Sequence, residues 1–186
     1  MDEKEVLSEA EKEMLIKRSE IGLLITDYNE IFSDFDPRHY SERALSDDFL
    51  AEARKASRDK EHGTIELRFM LPPHKRNPRE ESVIKKRLRE HFRKHFSRLE
   101  GETKNMIKQG IAFTLVGVVV MFTATALMFQ NSNSFYASFL VVLLEPAGWF
   151  LFWEGSRQIM FEPKTKKPEL EFYKKMSKCE IKFSSY

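Results

Sequence analysis

His91 and His95 stand four residues apart, a spacing that puts two imidazoles on one side of a helix, where they can ligate zinc. The chain lacks the glutamate of an H-E-x-x-H pattern and any cysteine pair, so no metal site is expected and interfacial or hydrogen-bonded roles come first. Cys179, the single cysteine, has no adjacent base to activate it and no second thiol to pair with. Asp34, Asp36, Asp47 and Asp48 cluster around Pro37; turn and capping roles explain them, and a divalent cation requires the fold to bring them together. No Ser-His-Asp pattern or glycine-rich phosphate loop is present, so no catalytic residue and no cofactor are expected. That leaves Glu145, a carboxyl set in an apolar stretch and followed by Pro146.

The elements around Glu145 follow from charge. The 31 basic and 29 acidic residues give a net charge of +2, but they are unevenly placed. Residues 1–74 carry 11 basic and 18 acidic side chains, residues 75–108 carry 12 and 5, and residues 109–186 carry 8 and 6. From Gln109 to Leu144 there is no charge in 36 residues. A helix crosses the ~30 Å hydrocarbon layer with about 20 apolar residues. Residues 110–129 supply that length, the polar turn 130–134 follows, and residues 135–155 supply it again. Because lipid offers backbone amides no partners, a pair of helices is the economical reading.

Orientation is read from the flanking cations. Arg93, Lys94, Arg98, Lys104 and Lys108 precede the first span and Arg157 follows the second, while the connecting turn has none, which predicts a multi-pass cell-membrane protein with both termini cytoplasmic. Tyr136 at one end and Trp149 and Trp153 at the other fit interfacial aromatic belts. Gly110, Thr114, Gly117, Met121, Ala124 and Met128 form a stripe of small or adaptable side chains, the expected face toward the second span or another copy.

Glu145 then falls ~15 Å along the second span, near the bilayer centre. An acid there costs about 2.5 to 3.5 kcal/mol on insertion scales, so it must be paired, hydrated or carried as the neutral acid. No basic residue lies in the uncharged run, and only hydroxyls such as Thr123 reach a similar depth. Pro146 removes a backbone donor beside it. Two readings stay open: a structural hydrogen bond at a helix interface, or a polar path through an oligomer. Glu154 and Arg157, three apart, read as a local ion pair.

The remaining residues predict a small domain. Asp47 to Ser57 reads as a helix with acidic residues in its first turn. The alternation Ile65, Leu67, Phe69, Leu71 reads as a strand, as does Cys179 to Phe183, and both are expected in one sheet. Ile21 to Thr26 reads as a further strand or, through Leu7, Met14, Ile21 and Tyr28, as part of an N-terminal helix. Residues 79–108 form a basic juxtamembrane segment in which Ile84, Leu88, Phe92, Phe96 and Leu99 draw one apolar stripe. Its preferred place is over the sheet, with cations toward anionic headgroups; lying on the lipid is the other choice, and nucleic acid is not an expected partner.

The segments Phe35-Asp36-Pro37-Arg38-His39-Tyr40-Ser41 and Glu145-Pro146-Ala147-Gly148-Trp149-Phe150-Leu151-Phe152-Trp153-Glu154-Gly155 resemble those of small prokaryotic two-span membrane proteins. The resemblance implies the architecture and brings no activity, cofactor or catalytic residue. The expected fold is a membrane α-helical hairpin of two transmembrane helices plus a small cytoplasmic α+β domain built from segments on both sides of it, residues 1–108 and 156–186. The expected role is a non-enzymatic anchor or interaction module, with the lipid bilayer and a second copy or another membrane protein as partners. The alternative is an oligomeric pore or membrane-perturbing effector using Glu145 and Pro146.

Overall fold

The computed structural model describes residues 20–58, 65–130 and 134–185. It is mostly helical, with two long apolar helices and one small three-stranded sheet. The elements are β1 (Glu20–Leu24), a 3-10 turn (Tyr28–Ile31), α1 (Asp47–Arg58), β2 (Glu66–Leu71), a second 3-10 turn (Pro73–Lys75), α2 (Pro78–Phe129), α3 (Phe135–Met160), α4 (Glu162–Ser177) and β3 (Glu180–Ser185). The chain divides into two units, one of Met1–Phe96 with Glu171–Tyr186 and one of Ser97–Leu170.

In the first unit the strands lie in the order β1-β2-β3, all parallel. Of the segment 21–26, residues 21–24 belong to an edge strand that ends before Ile25; the helical alternative through Leu7 and Met14 rests on positions outside the described residues. Parallel neighbours need crossovers, and keeping one hand for both puts their helices on the same face of this sheet. Leu67, Phe69 and Leu71 of β2, Ile65 just before it, and Ile181 and Phe183 of β3 are buried on that face. Phe49 of α1 packs on Phe69, which stacks on Phe183 with ring centroids 5.1 Å apart. The other face carries charge: Glu20, Glu66 and Glu180 share one row, and Gly22, Arg68 and Lys182 the next. Arg68 bridges Glu66 at 2.7 Å and Glu20 at 3.1 Å, and Lys182 reaches Glu66 at 2.7 Å.

The basic stretch and the first apolar stretch are one helix, α2, rather than two elements. Asn77 opens it, its side-chain oxygen accepting from the Arg79 N–H at 3.2 Å, with Pro78 at the first helical position. No proline follows until the helix has ended, and the exposed pairs Arg98–Glu102 (2.9 Å) and Glu100–Lys104 (3.0 Å) support its middle turns. Ile84, Leu88 and Phe92 are fully buried in the first unit, as expected of a helix covering the sheet, while Phe96 is half-buried. Tyr28 ties this helix to β1's end: its hydroxyl donates to Glu81 (3.0 Å) and accepts from the Asn77 N–H (3.0 Å). Arg76 holds the other side of Glu81 at 2.9 and 3.0 Å.

The expected tail 156–186 contains a full helix that its sequence disguises. α3 continues to Met160, and α4 follows after Phe161 with Pro163 in its first turn and Pro168 inside it. Proline in a first turn costs no hydrogen bond, whereas Pro168 does, and burial of Phe172, Tyr173 and Met176 compensates. In the first unit Phe92 meets Phe172 and Tyr173 edge-on or tilted, at 6.2 and 6.4 Å.

The second unit is built on the seam between α2 and α3. Gly110 faces Gly155 and Ile159, and Gly117 faces Gly148 and Phe152. A Cβ on Gly117 would lie 2.7 Å from the Phe152 nitrogen and 2.8 Å from the Gly148 oxygen, so the backbones approach only because no side chain intervenes. Ala124 is buried in the same stripe, but Met128 is 66% exposed and Leu127 takes its place half-buried.

Candidate functional site

Three groupings combine side chains capable of chemistry. The first is the outer face of α3. Ser138, Val142, Glu145 and Trp149, in steps of four, three and four, occupy one side of the helix, and all four are exposed. Among the described residues Glu145 makes no hydrogen bond and no ion pair. Thr123, the hydroxyl at a comparable depth, donates to the Val119 carbonyl of its own helix at 2.9 Å. Pro146 is exposed, and α3 runs through it from Phe135 to Met160. Lacking an N–H, Pro146 cannot donate to the Val142 carbonyl four residues back.

Of the residues expected to flank the spans, Tyr136 stands in the first turn of α3, Trp149 and Trp153 in its second half, and the cations Arg93 to Lys108 in the first two thirds of α2. Tyr136 is 78% exposed, and Trp149 stacks on Trp153 with centroids 6.4 Å apart. Arg157 pairs with Glu154 at 2.9 Å, as its spacing predicts, and with Glu162 at 2.6 Å. Arg93, Lys94, Arg98, Lys104 and Lys108 are all exposed on α2.

The second grouping is the histidine pair. His91 stacks on His95 at 4.2 Å, and His95 stacks on Tyr173 at 5.1 Å. Burial first, then the neighbouring His95, Arg87 and Lys94, pushes His91 down to about 4, which keeps it neutral. Among the described residues no group of three His, Cys, Asp or Glu side chains is placed to hold a metal. Cys179 is buried, and burial pushes its thiol up to about 11, which makes it a packing residue rather than a nucleophile.

The third is a cleft of about 430 Å³ in the first unit, beside the C-terminal end of β1 and the start of α1. Leu23, Leu24, Ile25, Phe32 and Phe49 are its apolar lining, with Glu30, Asp34, Asp48 and Glu52 around them. Asp36 stays apart from this group. Its carboxylate accepts from the Arg38 guanidinium at 2.7 Å and the Ala44 N–H at 2.7 Å, closing the loop that contains Pro37. The four aspartates around Pro37 are therefore split between loop closure, the first turn of α1 and the cleft.

The charged sheet face was not anticipated, although Glu66-x-Arg68 and Glu180-x-Lys182 stand in two alternating strands and would have signalled it. Compared with known proteins, the chain matches no family model, no curated protein and no solved structure.

Proposed function

We propose that this chain is a non-enzymatic, membrane-anchored interaction module: α2 and α3 cross the bilayer as a hairpin, and the unit built on the sheet works at the cytoplasmic surface. The observation that carries this reading is the outer surface of the hairpin. Leu115, Val119, Phe122, Val142 and Phe150 are each more than 60% exposed, on helices with no charge from Gln109 to Leu144. Only 11% of the most apolar stretch of each helix is buried, unlike the core helix of a soluble protein. A soluble monomer rarely shows water an apolar surface of this extent, whereas lipid accepts it. The exposed cations of α2 suit anionic headgroups, and Tyr136 and Trp153 suit the interfacial layers, whereas Trp149, one turn from Glu145, lies deeper. The test is extraction of membranes from expressing cells. The chain is expected to resist alkaline carbonate and to dissolve only with detergent; release by carbonate alone would sink the anchor.

A second reading, an oligomeric pore or membrane-perturbing effector lined by Glu145 and Pro146, is favoured by the exposure of that carboxyl. Ion flux through reconstituted vesicles that is lost in Glu145→Gln would establish it, and absence of flux would remove it.

A further inference from the structure

On the reading of α2 and α3 as membrane spans, we infer that the face Ser138-Val142-Glu145-Trp149 of α3 docks a span of a different membrane protein that carries one Lys or Arg at mid-depth. This face is separate from the α2 seam, which runs through Gly148, Phe152 and Gly155. Val142 is 70% exposed and Trp149 50%, so α2 leaves the stripe uncovered. It holds two hydrogen-bond acceptors within one turn, the Glu145 carboxyl and the Val142 carbonyl that Pro146 leaves without its helical donor. Acceptors in hydrocarbon require donors, because lipid supplies none. An ammonium brings three donors and a guanidinium five, with the charge that complements a carboxylate.

The chain brings no cation of its own to this depth. It has no cation between Gln109 and Leu144. The hydroxyls of Thr114, Thr123 and Thr125 each donate at 2.9 Å to a carbonyl of their own helix, those of Gly110, Val119 and Met121. A second copy would bring only neutral donors to this face, the Ser138 hydroxyl and the Trp149 indole N–H, together with a second carboxyl, which repels the first when both are ionised. Charge complementarity therefore selects a heterologous span with a central cation. Trp149, one turn along the face, adds a broad flat surface and an aromatic ring to such a contact.

The experiment uses the full chain, labelled with a fluorophore at its N-terminus and reconstituted in phosphatidylcholine vesicles. The probes are Leu/Ala-based spanning peptides of about 20 residues with a central Lys, a central Gln or no polar residue, carrying an acceptor dye. Energy transfer should show the Lys peptide associating about tenfold more tightly than the apolar one, in the range of interhelical polar contacts in membranes. Glu145→Gln should abolish that preference, and Glu145→Asp should retain most of it. Equal association of the Lys and apolar peptides, or a preference that survives in Glu145→Gln, overturns the inference. So does transfer between two copies of the chain that vanishes in Glu145→Gln, since the carboxyl would then pair with its own kind. Flotation of the same vesicles separates the two layers of reasoning: a chain that does not float overturns the span reading and this inference together, whereas one that floats without preferring Lys overturns the inference alone.

Discussion

His91, half-buried, and Glu81, buried, are two ionisable groups whose protonation belongs to folding rather than to any chemistry. His91 is held near 4, below the ordinary 6.5, because its imidazole is packed against His95, Phe92 and Tyr173 with Arg87 and Lys94 nearby. The unfolded chain therefore binds a proton that the folded one refuses. Stability is full above 6.5 and falls as pH drops from 6.5 toward 4. For Glu81, burial works to raise the carboxyl, but the hydrogen bonds from Arg76 and Tyr28 prevail and hold it below 4.5. That contribution is complete above 4.5 and fades as pH falls through the lowered folded value. Urea unfolding of the detergent-solubilised chain across this range should show two successive losses. His91→Gln is expected to flatten the upper one. Glu81→Gln should shrink the lower one, which it shares with Asp27, Asp36, Glu66 and Glu102, and cost about 2 kcal/mol at neutral pH, the scale of hydrogen bonds to a charged group. If the upper loss persists in His91→Gln, its source lies elsewhere.

At the scale of the element, two glycines of α2 make opposite demands. Gly117 needs its missing side chain, since the nearest backbone atoms would meet a Cβ at 2.7 and 2.8 Å. Gly101, in the same helix, would have nothing within 4 Å of a Cβ. Gly117→Ala should therefore lower the stability of the hairpin by about 1 to 3 kcal/mol through overpacking. Gly101→Ala should raise helix stability by about 0.5 to 1 kcal/mol by restricting the unfolded chain. Thermal melting of both variants in one detergent checks the pair, and equal effects would mean the seam is not packed as described. The stripe that contains Gly117 was legible because small residues recur at steps of four and three. β2 and β3 were legible through strict alternation, from Ile65 to Leu71 and from Cys179 to Phe183. α4 was not, because Pro163, Pro168 and five lysines hide a helix whose apolar contacts, Phe172, Tyr173 and Met176, come only in its last turns. β1 was ambiguous because its burial keeps no clean period: Ile21 is buried, Gly22 brings no side chain and Leu24 is 63% exposed. The exposure of Glu145 could not be read from composition, since a span's rotation depends on which residues its neighbour packs against.

For the whole molecule, the decisive contact is between strands that are far apart in sequence. β2 precedes both apolar helices and β3 follows both, yet residues 66–71 pair with 180–185 in one sheet. A sheet cannot be shared across a bilayer, so any crossing must be made an even number of times, which two helices satisfy. The proposed cytoplasmic side of the sheet rests on charge: Arg93, Lys94, Arg98, Lys104 and Lys108 precede the first apolar stretch, and the turn 130–134 carries no charge at all. Cysteine labelling reads this directly, because Cys179 is buried with its thiol pushed up to about 11 and gives little background. Ser41 and Ser134 are both exposed, one in the sheet unit and the other beside the turn. In intact cells a membrane-impermeant maleimide should label Ser134→Cys and spare Ser41→Cys until the membrane is permeabilised. The reverse pattern would invert the hairpin and leave its spans intact. Labelling of both positions from outside, or protection of both, would mean that the turn and the sheet lie on one side, and two helices of this length would then have to rest on the bilayer rather than cross it.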